Sequence, residues 1–140
     1  MNLETLRHQH DSLFGIAGEL GRAIAAPDPR PVASIRWRLA RELLAHLAME
    51  DSWLYPRLAR SPSARTAELA TRFKAEMGGL AATFNRYMTH WTDQRIAADW
   101  TGFRKETSLI LAQIRTRIER ENGELYPLAA QQAETPTRAA

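Results

Sequence analysis

Two segments of the 140-residue chain share a pattern of side chains that could bind a metal ion. Residues 46–56 read His-Leu-Ala-Met-Glu-Asp-Ser-Trp-Leu-Tyr-Pro, and residues 117–127 read Arg-Ile-Glu-Arg-Glu-Asn-Gly-Glu-Leu-Tyr-Pro. Residues four apart on a helix lie on one face, one turn above the other, so His46 and Glu50 can point two ligand atoms at one ion. The second segment has Arg117 in place of the histidine, four residues before Glu121. This difference between the segments is the main clue to function.

Both segments lie in stretches where apolar residues recur at steps of three and four, the pattern of helices packed in a bundle. The four stretches are residues 3–24, about 32–58, about 63–91, and from Asp99, a suitable N-cap, onward. Proline-rich or polar breaks separate them, and no segment alternates in the manner of a strand. The sequence therefore predicts an all-α fold, an antiparallel up-down-up-down four-helix bundle over residues 1–130, with a flexible C-terminal tail at residues 131–140.

Polar side chains interrupt the apolar stripes of these helices. They are His10, His46, Glu50, Arg117 and Glu121. Burying an unpaired charge costs several kcal/mol, so these groups must neutralise one another or bind an ion. With a rise of ~1.5 Å per residue, His10 and His46 lie equally far from the first turn, and Met77 and Arg117 lie equally far from the last. We expect all six side chains to meet in one layer in the middle of the bundle.

The chain resembles the hemerythrin-like, HHE cation-binding family over roughly residues 3 to 130. The resemblance rests on His10-Asp11-Ser12-Leu13, on residues 46–56 and on residues 121–127. That family holds a di-iron site with a His on helix one, His-x-x-x-Glu on helix two, a His on helix three and His-x-x-x-Glu on helix four. The resemblance implies that His10, His46, Glu50 and Glu121 are metal ligands. It also implies that Met77 and Arg117 stand where the family has its other two histidines.

These two departures weaken the case for a normal di-iron centre. Arginine stays protonated and has only donors, and the thioether of methionine suits softer metals. Two alternatives remain open. In the first, no metal binds, because Arg117 takes the place of the missing cation. In the second, His10, His46, Glu50 and Glu121 hold a single Fe, Zn or Mn ion.

No catalytic residue is predicted, because no activated nucleophile, phosphate-binding glycine loop or further carboxylate pair occurs outside this layer. We expect a non-enzymatic binding or regulatory protein, and the resemblance implies a role related to oxygen, iron or oxidative stress. The tyrosines and prolines at 55–56 and 126–127 are expected to pack and terminate helices. Gly78-Gly79, which is costly inside a helix, is expected to mark a kink or a close helix approach.

The amino-acid composition excludes several further kinds of site and partner. The absence of cysteine excludes disulfides and thiolate metal sites. The formal charge is +3, but the basic residues alternate with acids, so a mixed-charge surface is expected rather than nucleic-acid binding. No run of about 18 apolar residues could span a bilayer, so we expect no membrane partner and a cytoplasmic location. A homo-oligomer or a protein partner is left open.

Overall fold

The computed structural model describes residues 2–134, and this part of the chain is all-helical, without strands. The elements are α1 (Leu3–Ala25), α2 (Val32–Met49), the π-helical segment π1 (Glu50–Leu54), α3 (Tyr55–Ala59), α4 (Ala64–Met77), α5 (Leu80–His90), α6 (Asp93–Ala98), α7 (Trp100–Arg120), the π-helical segment π2 (Glu121–Leu125) and α8 (Tyr126–Glu134). The all-α prediction is confirmed. The predicted tail, residues 131–140, lies outside the described residues from position 135 onward.

Within residues 2–134, four helices begin at a side chain that accepts a hydrogen bond from a backbone N–H three residues later. These N-caps are Asn2, Ser63, Thr92 and Asp99. Such a side chain satisfies one of the donors that a helix start leaves without a partner. The prediction that Asp99 caps the last long helix is confirmed, since its carboxylate accepts from the Gly102 N–H at 2.9 Å.

Two apolar clusters form the core. The larger lies among α1, α2, α5 and α7, with Leu20, Leu39, Phe84 and Phe103 fully buried in it. The smaller contains side chains of α3, α4 and α8 together with Leu6 at the start of α1. Along α1 the change from the smaller to the larger cluster occurs between Leu6 and Leu13, on either side of His10. A layer of polar side chains therefore separates the two clusters.

The third predicted helix is interrupted at Gly78-Gly79. The prediction of a continuous helix over residues 63–91 is wrong here, because α4 ends at Met77 and α5 begins at Leu80. The alternative of a kink at the two glycines is confirmed. A Cβ at Gly78 would lie 2.4 Å from the Lys74 carbonyl oxygen. A larger residue at position 78 would therefore clash with the backbone of the preceding helical turn.

Each copy of the repeated pattern contains a π-helical turn that begins at its glutamate. The Tyr55 N–H donates to the Glu50 carbonyl, and the Tyr126 N–H donates to the Glu121 carbonyl, in each case across five residues. The proline that follows each tyrosine has no N–H and would clash with a carbonyl four residues back in a regular α-helix, which favours the wider turn. A π turn also brings the tyrosine closer to the face that carries the glutamate. The helices continue beyond both prolines, into α3 and α8.

None of the described helices has the length and apolar character that crossing a bilayer requires.

Candidate metal centre

Five buried polar side chains form one layer between the two apolar clusters, and each is at most 3 % exposed. They are His10 on α1, His46 on α2, Glu50 at the start of π1, Arg117 on α7 and Glu121 at the start of π2. Four of them, the two histidines and the two glutamates, offer ligand atoms that all lie within 4.8 Å of one another. The structure thus brings together five of the six side chains that the sequence predicts to meet, and four of these five could hold a metal ion.

Arg117 lies between the two carboxylates. Its Nη2 donates to Glu50 Oε1 at 3.1 Å, and its Nε donates to Glu121 Oε2 at 3.2 Å. Its Nη1 donates to the carbonyl oxygen of Met77 at 3.1 Å. Met77, the remaining predicted member, contacts the layer through this carbonyl, while its half-buried side chain packs against the smaller apolar cluster. The helix break after Met77 places this carbonyl in the last turn of α4, where carbonyls lack intrahelical partners.

Two tyrosines complete the contacts of the carboxylates. Tyr55 donates its hydroxyl hydrogen to Glu121 Oε2 at 2.6 Å, and Tyr126 donates to Glu50 Oε2 at 2.5 Å. Each tyrosine belongs to one copy of the repeated pattern and contacts the glutamate of the other copy. Both tyrosines pack in the smaller apolar cluster, as expected. The expectation that they terminate helices is wrong, because the helices continue beyond them, and their hydroxyl contacts with the glutamates were not predicted. Their identical place in both copies was the available sequence signal.

Each histidine turns its Nε2 toward a glutamate. His10 Nε2 lies 3.2 Å from Glu121 Oε1 and 3.0 Å from the Tyr126 hydroxyl. His46 Nε2 lies 3.3 Å from Glu50 Oε1, but it is not aligned for a hydrogen bond, and this buried atom has no hydrogen-bond partner among the described residues. All four carboxylate oxygens of the two glutamates thus contact a polar atom of another side chain.

The other ring nitrogen of each histidine contacts a side-chain amide. His10 Nδ1 lies 2.7 Å from Asn122 Oδ1, and His46 Nδ1 lies 2.6 Å from Gln9 Oε1. Sequence reasoning missed both amides. Each is adjacent in sequence to a residue of the layer, but no periodic pattern indicates that it reaches across to another helix.

The side chains around Glu50 stabilise its negative charge. Burial by itself favours the uncharged carboxyl, but the neighbouring His46, the charge of Arg117 and the Tyr126 hydroxyl outweigh it and lower the pKa of Glu50 to about 2. Burial also opposes the charge of Arg117, but Glu121 and Glu50 outweigh it and raise the pKa of the guanidinium above its usual value. Glu50 and Arg117 are therefore both charged at neutral pH.

Proton binding is strengthened at both His10 and Glu121. Burial lowers the pKa of His10, but the hydrogen bonds to Glu121 and Asn122 outweigh it, so the net shift is upward. Burial, together with the charge of Glu50, raises the pKa of Glu121 against the opposing hydrogen bond from His10. Both shifts strengthen proton binding by this contacting pair.

One of the comparisons with known proteins gives a match to this chain. The family model of the hemerythrin HHE cation-binding domain matches residues 1–129, which include every residue of the layer. Comparisons with curated proteins and with solved structures found no significant match. The family match covers more than nine-tenths of the chain and agrees with the all-helical fold and the buried group of potential metal ligands. The chain therefore belongs to the hemerythrin HHE cation-binding domain family.

Proposed function

We propose that this protein is an up-down-up-down four-helix member of its family in which the di-iron centre is incomplete. Met77 and Arg117 stand in place of two histidines, and Arg117 supplies positive charge that metal ions would otherwise supply. The observation that best supports this proposal is the position of Arg117, which donates to Glu50 at 3.1 Å and to Glu121 at 3.2 Å. One guanidinium thus joins both carboxylates of the candidate centre.

The charges of the layer balance without a metal ion. The negative charge of Glu50 is matched by the positive charge of Arg117, with which it shares a hydrogen bond. His10 and Glu121 are neutral as a pair when they hold one proton between them, and the pKa of each is raised, in the direction of proton binding. Buried charges are tolerated when they are paired and hydrogen-bonded in this way.

A di-iron centre does not fit this set of side chains. Arg117 has only donors to offer, and the side chain of Met77 packs into the apolar cluster. A divalent ion ~5 Å from a guanidinium would meet a gross repulsion of about 7 kcal/mol at an effective dielectric constant of about 20. In addition, three of the four carboxylate oxygens of Glu50 and Glu121 already accept hydrogen bonds from Arg117 or a tyrosine.

We further propose a non-enzymatic binding or regulatory role in the cytoplasm, related to oxygen, iron or oxidative stress. This part of the proposal rests on membership of the family. It is supported by the layer itself, in which every carboxylate contacts a partner from the protein.

A single metal ion is the second candidate, and one observation favours it. The ligand atoms of His10, His46, Glu50 and Glu121 lie within 4.8 Å of one another, and the Nε2 of His46 has no aligned partner among the residues described. Two imidazoles and two carboxylates suit Fe, Zn or Mn. When bound, such an ion would supply Lewis acidity or redox chemistry, and these four residues would hold it.

Elemental analysis separates the two candidates. The protein is expressed in medium supplemented with iron, zinc and manganese, and the metal per chain is measured for the wild type, for His46→Ala and for His90→Ala. His90 is an exposed histidine outside the layer and controls for surface binding. We expect far less than one metal ion per chain in all three. Nearly one ion per chain in the wild type and His90→Ala, but not in His46→Ala, would overturn the metal-free proposal in favour of the second candidate.

A further inference from the structure

We infer that Gln9 and Asn122 are positioning residues for the two imidazoles of the layer. Each side-chain amide oxygen holds the hydrogen of one ring on Nδ1 and thereby directs Nε2 toward the glutamates. This inference deepens the proposed function, on which it rests for the role of the layer. It does not depend on whether the layer is metal-free, because Nδ1 faces away from the carboxylates in both cases.

The orientation of the Gln9 amide is set by a second contact. Its Nε2 lies 3.2 Å from the sulfur of Met49, and a thioether sulfur can only accept a hydrogen bond. The amide nitrogen therefore faces Met49, and the amide oxygen faces His46 Nδ1 at 2.6 Å. Because an amide oxygen also only accepts, Nδ1 of His46 must carry the hydrogen.

Asn122 holds His10 in the same manner. Its Oδ1 lies 2.7 Å from His10 Nδ1, so this ring nitrogen carries the hydrogen as well. The plane of the ring is set independently by stacking on Tyr126, with 4.8 Å between ring centroids and an interplanar angle of 5°. With the plane and one nitrogen held, Nε2 can only point into the layer, toward Glu121.

An amide suits this task because it orients an imidazole without adding charge. The two copies of the repeated pattern allow a direct comparison, since Asp51 follows Glu50 as Asn122 follows Glu121. Asp51 is a carboxylate, and it lies 3.8 Å from the Arg117 guanidinium rather than beside an imidazole. The same place in the pattern thus has an amide where it meets an imidazole and a carboxylate where it meets a cation.

The orientation of the two rings determines which of their nitrogen atoms can bind a cation. With both Nδ1 atoms bearing hydrogen, the only ring nitrogens that face the glutamates are the two Nε2 atoms. Neutral imidazoles held in this way offer their lone pairs at Nε2, the arrangement that outer hydrogen bonds impose on ligand histidines in metal sites. Loss of either amide would free one ring to turn or to change tautomer.

Nuclear magnetic resonance of ¹⁵N-labelled protein tests the inference, because long-range ¹H–¹⁵N correlation spectra show which ring nitrogen bears the hydrogen. Hydrogen-bonded Nδ1–H resonances are expected for both His10 and His46 in the wild type. Gln9→Met should abolish this resonance for His46 and leave that of His10 unchanged. Asn122→Leu should give the reverse result.

Variants that keep an oxygen atom next to Nδ1 should preserve the Nδ1–H resonances. Gln9→Glu and Asn122→Asp keep an oxygen at the same place and should retain both resonances, and Asp51→Asn, the matched change in the other copy, should also leave them intact. The inference is overturned if either wild-type ring bears hydrogen on Nε2 alone, or if each apolar variant affects both rings equally. The wild-type spectrum alone shows which nitrogen of each ring bears the hydrogen, so the inference can be tested even if an apolar variant fails to fold. Metal in the wild type would overturn the metal-free proposal but not this one.

Discussion

At the scale of single residues, the charge balance of the buried layer depends on Arg117. Its guanidinium contacts both glutamates and the Met77 carbonyl, and it is 3 % exposed. Removal of the side chain would leave the two buried carboxylates without their cation. This residue distinguishes the layer from an ordinary metal site.

We predict that Arg117→Ala lowers the free energy of unfolding by roughly 3 to 5 kcal/mol, the usual cost of breaking a buried ion pair from one side. Chemical denaturation of the wild type and the variant measures it. Arg115→Ala, an exposed arginine on the same helix, serves as the control and should change stability by less than about 0.5 kcal/mol. A loss below about 1 kcal/mol for Arg117→Ala would mean that the layer is solvated or already holds a metal ion.

The hydroxyls of Tyr55 and Tyr126 donate to the two buried carboxylates. Tyr55→Phe and Tyr126→Phe each remove a hydrogen bond to a buried carboxylate and should each cost about 1.5 to 3 kcal/mol of unfolding free energy. Tyr87→Phe is the matched control, since the Tyr87 hydroxyl contacts the neutral hydroxyl of Thr107 at 2.6 Å. That control should cost about 0.5 to 1.5 kcal/mol. Equal losses in all three variants would argue against charged carboxylates in the layer.

The sequence predicts which residues enter the layer better than it predicts their contacts. His10, His46, Glu50 and Glu121 interrupt apolar stripes, and a helical period is sufficient to place them on the buried faces. The hydroxyl of Tyr55 reaches a glutamate of another helix, and such a contact depends on the packing of two helices. No pattern within a single helix contains that information.

At the scale of elements, the break between α4 and α5 and the two π-helical turns shape the layer. The break places the Met77 carbonyl within reach of Arg117, and the π turns bring Tyr55 and Tyr126 onto the side of the glutamates. The sequence signalled the break through Gly78-Gly79, whereas the prolines were expected to end their helices. It could not show that a π turn lets the helix continue past a proline, because that outcome depends on tertiary contacts of the following turn.

Gly78 and Gly79 differ in the space available for a side chain. Gly78→Ala should destabilise the protein by about 1 to 3 kcal/mol, because its Cβ would lie 2.4 Å from the Lys74 carbonyl oxygen. A Cβ at Gly79 meets no atom within 4 Å, so Gly79→Ala should be neutral or stabilise by up to about 1 kcal/mol. Thermal and chemical denaturation of both variants measure the difference. Equal effects would mean that the backbone at Gly78 adapts freely.

At the scale of the whole molecule, a charged layer lies between the two apolar clusters of the core. The all-helical fold could be predicted because the apolar period persists over most of the chain, and the family follows from the repeated pattern. The content of the layer is harder to predict, since the same side chains serve an ion pair and a single-metal site. The contacts of Arg117 favour the ion pair.

The proposal that Arg117 takes the place of the metal ions is tested by the iron content of Met77→His/Arg117→His and of the wild type, both expressed in iron-supplemented medium. Restoring both imidazoles removes the guanidinium and supplies two further ligands, so we predict that the double variant binds iron while the wild type contains almost none. The single variant Met77→His retains Arg117 and should remain nearly iron-free. An iron-free double variant, or a wild type with near-stoichiometric iron, would contradict the claim that Arg117 replaces the metal.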